Sequence, residues 1–123
     1  MSEKRILIVD DEASIILALK SFLMSKGYEV STAENGQQGL EIAREFLPDL
    51  ILLDVMMPFM DGFAFSKAIR EDETLQDTKI IFITAKGEMK DKQQGYAKGG
   101  DDYLVKPFST EKLLNSVEFL LEG

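Results

Sequence analysis

Three runs of four consecutive apolar residues punctuate the sequence: Ile6-Leu7-Ile8-Val9, Leu50-Ile51-Leu52-Leu53 and Ile80-Ile81-Phe82-Ile83. None shows the apolar–polar alternation of a half-exposed strand. Runs this short, bounded by breaking residues, read as strands covered on both faces, the usual state inside a parallel sheet. Each ends in chemistry: Asp10-Asp11-Glu12, Asp54 and Thr84 follow the three runs. A charge at the end of such a strand is expected to leave the core. This puts Asp54 at the carboxyl edge of the sheet, where open α/β sheets bind their ligands.

Helical periodicity fills the intervals. Ile15, Leu19, Phe22 and Leu23 predict a helix over about 13–26 that stops at Gly27. Residues 28–33 alternate and predict a half-exposed strand. A helix from about Gly36 carries Leu40, Ala43, Phe46 and Leu47 and ends at Pro48. Another, from about Phe63, carries Phe65, Ala68 and Ile69. A polar helix is expected over about 88–98, a short strand over Tyr103–Val105, and a final helix over about 110–121 burying Leu113, Val117, Leu120 and Leu121. Strands alternating with single helices predict one α/β domain over residues 1–123, flavodoxin-like, with a doubly wound five-stranded parallel sheet. The doubly apolar strands belong in the middle and the other two at the edges. The expected order is therefore 2-1-3-4-5, which brings Asp10, Asp11 and Asp54 to one crevice.

Composition narrows the chemistry. A net charge of −8 argues against direct contact with nucleic acid or an anionic membrane, both polyanions. The chain has no cysteine and no histidine, which removes thiolate chemistry, zinc–thiolate sites and the usual general base. The amino-terminal residues lead straight into a strand too short for a signal peptide or a membrane span, so a cytoplasmic domain is expected.

Taken singly, the polar residues have ordinary readings: an acid after a strand caps the next helix, a threonine suits a strand, and a lysine at a strand end is solvated. Their joint placement at the ends of strands 1, 3, 4 and 5 points elsewhere. Carboxylates sharing a crevice repel unless a cation joins them, and an all-oxygen donor set favours Mg²⁺ or Mn²⁺. A divalent ion, the Lys106 ammonium and the Thr84 hydroxyl around Asp54 would seat a phosphoryl group, with Asp54 as nucleophile. No glycine-rich phosphate loop is present to hold a nucleotide donor.

These pieces resemble the receiver domain of bacterial two-component response regulators, of the chemotaxis-regulator kind. The matching stretches are Ile8-Val9-Asp10-Asp11-Glu12, Leu53-Asp54-Val55-Met56-Met57-Pro58 with Asp61-Gly62, Ile83-Thr84-Ala85, and Gly99 to Phe108. The resemblance implies a regulatory domain rather than an enzyme, with Asp54 as phosphoacceptor for a histidine kinase or histidine phosphotransfer protein. It implies Mg²⁺ held by Asp11, Asp54 and the Met56 backbone carbonyl, with Asp10 binding directly or through water. Thr84 and Lys106 would hold phosphoryl oxygens. A shift of Thr84 and an inward turn of Tyr103 would signal to the face made by the polar helix, strand 5 and the final helix. The listener there would be a downstream protein or an output domain. The resemblance further implies a cis Lys106–Pro107 bond.

Three other readings share some of these features. A haloacid dehalogenase-like phosphatase needs a second aspartate where Met56 stands. A flavodoxin needs a phosphate-binding turn where Asp10-Asp11-Glu12 would repel phosphate. A receiver acting through constitutive contacts has no need of the full acid set with Thr84 and Lys106. In the resembling family, the residues two beyond the phosphoacceptor and two beyond the threonine set phosphoryl lifetime, and here they are Met56 and Lys86. Met56 is bulky and Lys86 is no base, so slow loss of the phosphoryl group is predicted. Met56→Asn should accelerate that loss when the phosphorylated mass is followed with time; an unchanged decay rate would contradict the shielding role.

Overall fold

The computed structural model describes residues 3–55, 60–85 and 100–122. Strand β1 (Arg5–Val9) leads to helix α1 (Ala13–Ser25), and β2 (Glu29–Ala33) leads to α2 (Gly36–Phe46). Strand β3 (Leu50–Asp54) precedes α3 (Gly62–Glu71); β4 (Lys79–Ala85), β5 (Asp102–Lys106) and the C-terminal helix (Thr110–Glu122) complete the described elements. The polar helix expected over 88–98, Met56 and Lys86 lie outside the described residues. All strand pairs are parallel and the order is β2-β1-β3-β4-β5, as expected from burial.

Strand alternation sorts the apolar residues into two cores, one on each side of the sheet. Leu7, Val9, Ile51, Leu53, Ile80, Phe82 and Tyr103 face α2 and α3. Ile6, Ile8, Leu50, Leu52, Ile81, Ile83 and Leu104 face α1 and the C-terminal helix. Both faces of β1, β3 and β4 are thus covered, which is why their sequences show no polar alternation.

The helices differ in detail from the sequence expectation. On α1, Ile16 joins Leu19 and Leu23 in the core, while Ile15 and Phe22 lie partly buried at its margin. Leu47 does not extend the buried face of α2. It is 48% exposed and adopts φ 51° as the helix C-cap, its N–H donating to the Ala43 carbonyl. The chain must turn sharply there to enter Pro48, and a left-handed residue makes that turn. Ala68 is only partly buried, whereas Ser66 on α3 is fully buried.

At the amino-terminal edge of the sheet, arginines tie the elements together. The Arg5 guanidinium donates to the Phe46 carbonyl at the end of α2 (2.9 Å) and pairs with Glu29 (3.3 Å). Its backbone N–H donates to Asp49 (2.8 Å). Arg70 of α3 donates to the Gln76 and Thr78 carbonyls and to Asp101, and that same Asp101 carboxylate oxygen accepts the Ile80 N–H. Leu75, inside this connection, is buried.

Gly62 opens α3 hard against β3. A Cβ there would lie 2.8 Å from the Asp54 carbonyl oxygen and 2.8 Å from the Val55 Cα, both backbone atoms that cannot yield cheaply. Gly62→Ala should therefore lower stability by about 1–3 kcal/mol, the usual cost of overpacking. Leu47→Gly should leave stability unchanged or raise it by up to about 2 kcal/mol, because relief of left-handed strain offsets glycine's entropy. Urea unfolding checks both; a stable Gly62→Ala or a clearly weakened Leu47→Gly would contradict the packing argument.

Candidate functional site

The carboxyl ends of the four strands β1, β3, β4 and β5 stop almost level. Val9 pairs with Leu53, Asp54 with Ile83, and Ala85 with Lys106. The ladder continues slightly beyond the strands, with Asp10 N–H donating to Ala33 and Val55 N–H to Ile83. Asp10, Asp54, Thr84 and Lys106 therefore stand in a row on adjacent strands. By strand alternation Asp10, Asp54 and Lys106 fall on the α1 side of the sheet, and Thr84 on the side of Phe82 and Tyr103.

The edge is drier than the sequence suggested. Asp54 does not leave the core for water: it is only 4% exposed, and Asp10 is fully buried. Carboxylates this shielded from water need nearby groups to balance their charge. One oxygen of Asp10, Oδ1, accepts the Glu12 backbone N–H at 2.9 Å, which turns the chain into α1. The other, Oδ2, is buried and accepts no hydrogen bond among the described residues. The Lys106 ammonium pairs with it at 3.9 Å, reaching back across β4 and β3.

The electrostatics follow from this geometry. Burial raises the Asp10 carboxyl above its ordinary value; the Glu12 N–H and Lys106 oppose that rise, and the charges of Glu12 and Asp11 add to it. For Lys106, burial favours the neutral amine, but the Asp10, Asp54 and Glu12 carboxylates outweigh it and raise the pKa. The ammonium is held as a cation among acids.

Carboxylate oxygens of Asp10, Asp11 and Glu12 lie within 4.8 Å of one another, with Asp11 and Glu12 exposed. A buried carboxylate oxygen without a donor, in an all-oxygen acidic cluster, fits a hard divalent cation. Glu12 is the site residue that sequence reasoning passed over. Its Oε1 accepts from Lys106 Nζ at 3.3 Å, and the signal was the third acid of the run after β1.

Thr84 is 2% exposed at the end of β4. Tyr103 is 8% exposed, its ring 5.6 Å from that of Phe82. The inward position that the resemblance associates with signalling is thus the one Tyr103 occupies here. Met56, whose carbonyl was expected to complete the metal site, lies outside the described residues. The Lys106–Pro107 peptide bond is cis.

Known proteins share this fold. The family model for the response regulator receiver domain matches residues 6–118. The DNA-binding dual master transcriptional regulator RpaA of Synechocystis is 43% identical over 117 residues, covering 95% of this chain and 48% of RpaA. The chain spans about half the length of the curated relatives it matches. The chemotaxis protein CheY4 of Vibrio cholerae superposes with a TM-score of 0.92 at 38% identity, covering 98% of this chain and 100% of CheY4. The receiver domain of the sensor histidine kinase PA1611 of Pseudomonas aeruginosa superposes with a TM-score of 0.89 at 29% identity, covering 99% and 100%. That structure has a magnesium ion coordinated in its active site cleft. Matched in sequence and in fold over nearly its whole length, the chain belongs to the receiver domains of response regulators, the phosphorylated signalling domains of two-component systems.

Proposed function

We propose that Asp54 is the phosphoacceptor of this receiver domain. The observation that carries the reading is the buried row at the sheet edge: Asp54 beside an acid with an orphaned oxygen, under a lysine held as a cation. An Asp54 carboxylate oxygen attacks the phosphorus of a phosphohistidine on a histidine kinase or histidine phosphotransfer protein. An O–P bond forms as the P–N bond breaks, and the electron pair leaves with the imidazole. Lys106 neutralises developing charge on a phosphoryl oxygen, and Thr84 donates a hydrogen bond to another. Asp10, Asp11 and Asp54, with the Met56 carbonyl, would hold Mg²⁺. When bound, the ion would supply positive charge to offset the carboxylates and the incoming phosphoryl group. Mn²⁺ shares the oxygen preference and is proposed as an alternative occupant. The same residues would serve the domain's own phosphorylation and dephosphorylation.

Thr84 and Tyr103 are proposed as the switch acting on a downstream protein or an output domain, within a single cytoplasmic domain over residues 1–123. Among the described residues no helix is long and apolar enough to cross a membrane. DNA binding belongs by name to RpaA, a protein about twice as long. For this domain itself we propose no direct nucleic-acid contact, on the support of its net charge of −8.

Intact-mass measurement after incubation with a small phosphodonor tests the reading. A single phosphoryl adduct that requires Mg²⁺ and disappears in Asp54→Asn is expected; an adduct that persists in Asp54→Asn would reassign the acceptor.

A second expectation follows from Asp10. Its folded pKa lies above the ordinary 3.8, so its ionisation weakens the fold as pH rises from 3.8 through the raised value, and has no effect below. Without metal, Asp10→Asn should raise the thermal midpoint at neutral pH, and the gain should vanish towards pH 4. A midpoint lowered at neutral pH would show that Lys106 already compensates the charge.

A further inference from the structure

Three aromatic rings form a row on the α2–α3 side of the sheet. Phe63, in the first turn of α3, meets Phe82 edge to face, with ring centres 5.1 Å apart and planes at 73°. Phe82 meets Tyr103 at 5.6 Å and 42°. Phe82 and Tyr103 are register partners on β4 and β5, and β5 is the edge of the sheet. Tyr103 therefore has a neighbouring strand on one side alone, and Phe82 walls its seat there.

The row is anchored next to the proposed phosphoacceptor. Gly62, immediately before Phe63, donates its N–H to the Val55 carbonyl at 2.9 Å and touches the Asp54–Val55 backbone. The Asp61 side chain caps the same turn, accepting the Ala64 N–H at 2.8 Å. Phe63 thus projects from a fixed backbone, and its ring fixes the tilt of Phe82. Edge-to-face geometry sets ring angles because the positive edge of one ring seeks the negative face of the next. An aliphatic side chain fills volume there but imposes no angle.

We propose that Phe63 is a positioning residue that, through Phe82, seats the Tyr103 ring inward. The seating stands whether or not Tyr103 signals; its regulatory meaning rests on the switch proposed above.

Ring resonances of the tyrosines in the unphosphorylated protein, with Tyr103 assigned by Tyr103→Phe, test this. In Phe63→Leu, Tyr103 should lose its upfield ring shift and become accessible to a soluble paramagnetic probe. The outward population should rise about 2- to 10-fold, the range an aromatic pair supplies. Phe63→Tyr should restore the wild-type signal, and Phe63→Met, a second non-aromatic variant, should behave as Leu does. Ile69→Val removes a methylene from the same core on α3 and should leave Tyr103 in place. A Tyr103 as protected in Phe63→Leu and Phe63→Met as in wild type would overturn the proposal, as would equal release by Ile69→Val. The rings are read without phosphodonor, so the result is independent of whether Asp54 accepts phosphate.

Discussion

A carboxylate that water cannot reach needs a cation, and this sheet edge holds two buried ones. Asp10 is fully buried and Asp54 nearly so, yet the one described cation reaching Asp10 stands at 3.9 Å and is shared with Glu12. Burial alone would push Asp10 towards neutrality and the lysine towards the free amine. Mutual attraction reverses this for Lys106 and only partly offsets it for Asp10. Among the described residues the edge is left with negative charge to spare, which favours a divalent cation; a phosphoryl group could sit there only with that cation and Lys106 offsetting the acids.

The rest of the fold makes that arrangement tolerable. Strands β1, β3 and β4 are apolar on both faces, so the sheet beneath the acids is rigid and dry. At the opposite edge, Arg5 and Arg70 bind carbonyls and carboxylates in good geometry and hold the strand entrances in register. Hydrogen bonds are satisfied at one end of the sheet and charge is left unbalanced at the other. On β5 itself, Asp102 accepts the Ser116 hydroxyl and ties the C-terminal helix to the edge strand, while Tyr103 is held from the other side by the ring row.

Most of this architecture was legible because it depends on short-range pattern. The three apolar runs gave the central strands, the weaker alternation gave the edges, and the topology then brought Asp10, Asp54, Thr84 and Lys106 together. What escaped depended on contacts far apart in sequence or on backbone dihedrals. Leu47 continues the apolar spacing of α2, but the sharp turn into Pro48 puts it at φ 51° and in solvent. Ile16, not Ile15, shares the buried stripe of α1 with Leu19 and Leu23. Arg70 and Asp101 meet across 31 positions with no local signal. Glu12 was visible as an acid, yet its pairing with Lys106 spans 94 positions. The expectation that Asp54 leaves the core treats the strand end as open to water, whereas Asp54 is buried there.

Among the described residues the acids at this edge outweigh its cations, and Asp10 is proposed as a donor to a divalent ion there. Calorimetric titration of Mg²⁺ into the unphosphorylated wild type and Asp10→Asn separates this from a purely structural Asp10. One Mg²⁺ per wild-type chain is expected, with an affinity weaker by at least about tenfold in the variant. Equal Mg²⁺ affinity in the two proteins would contradict the donor role.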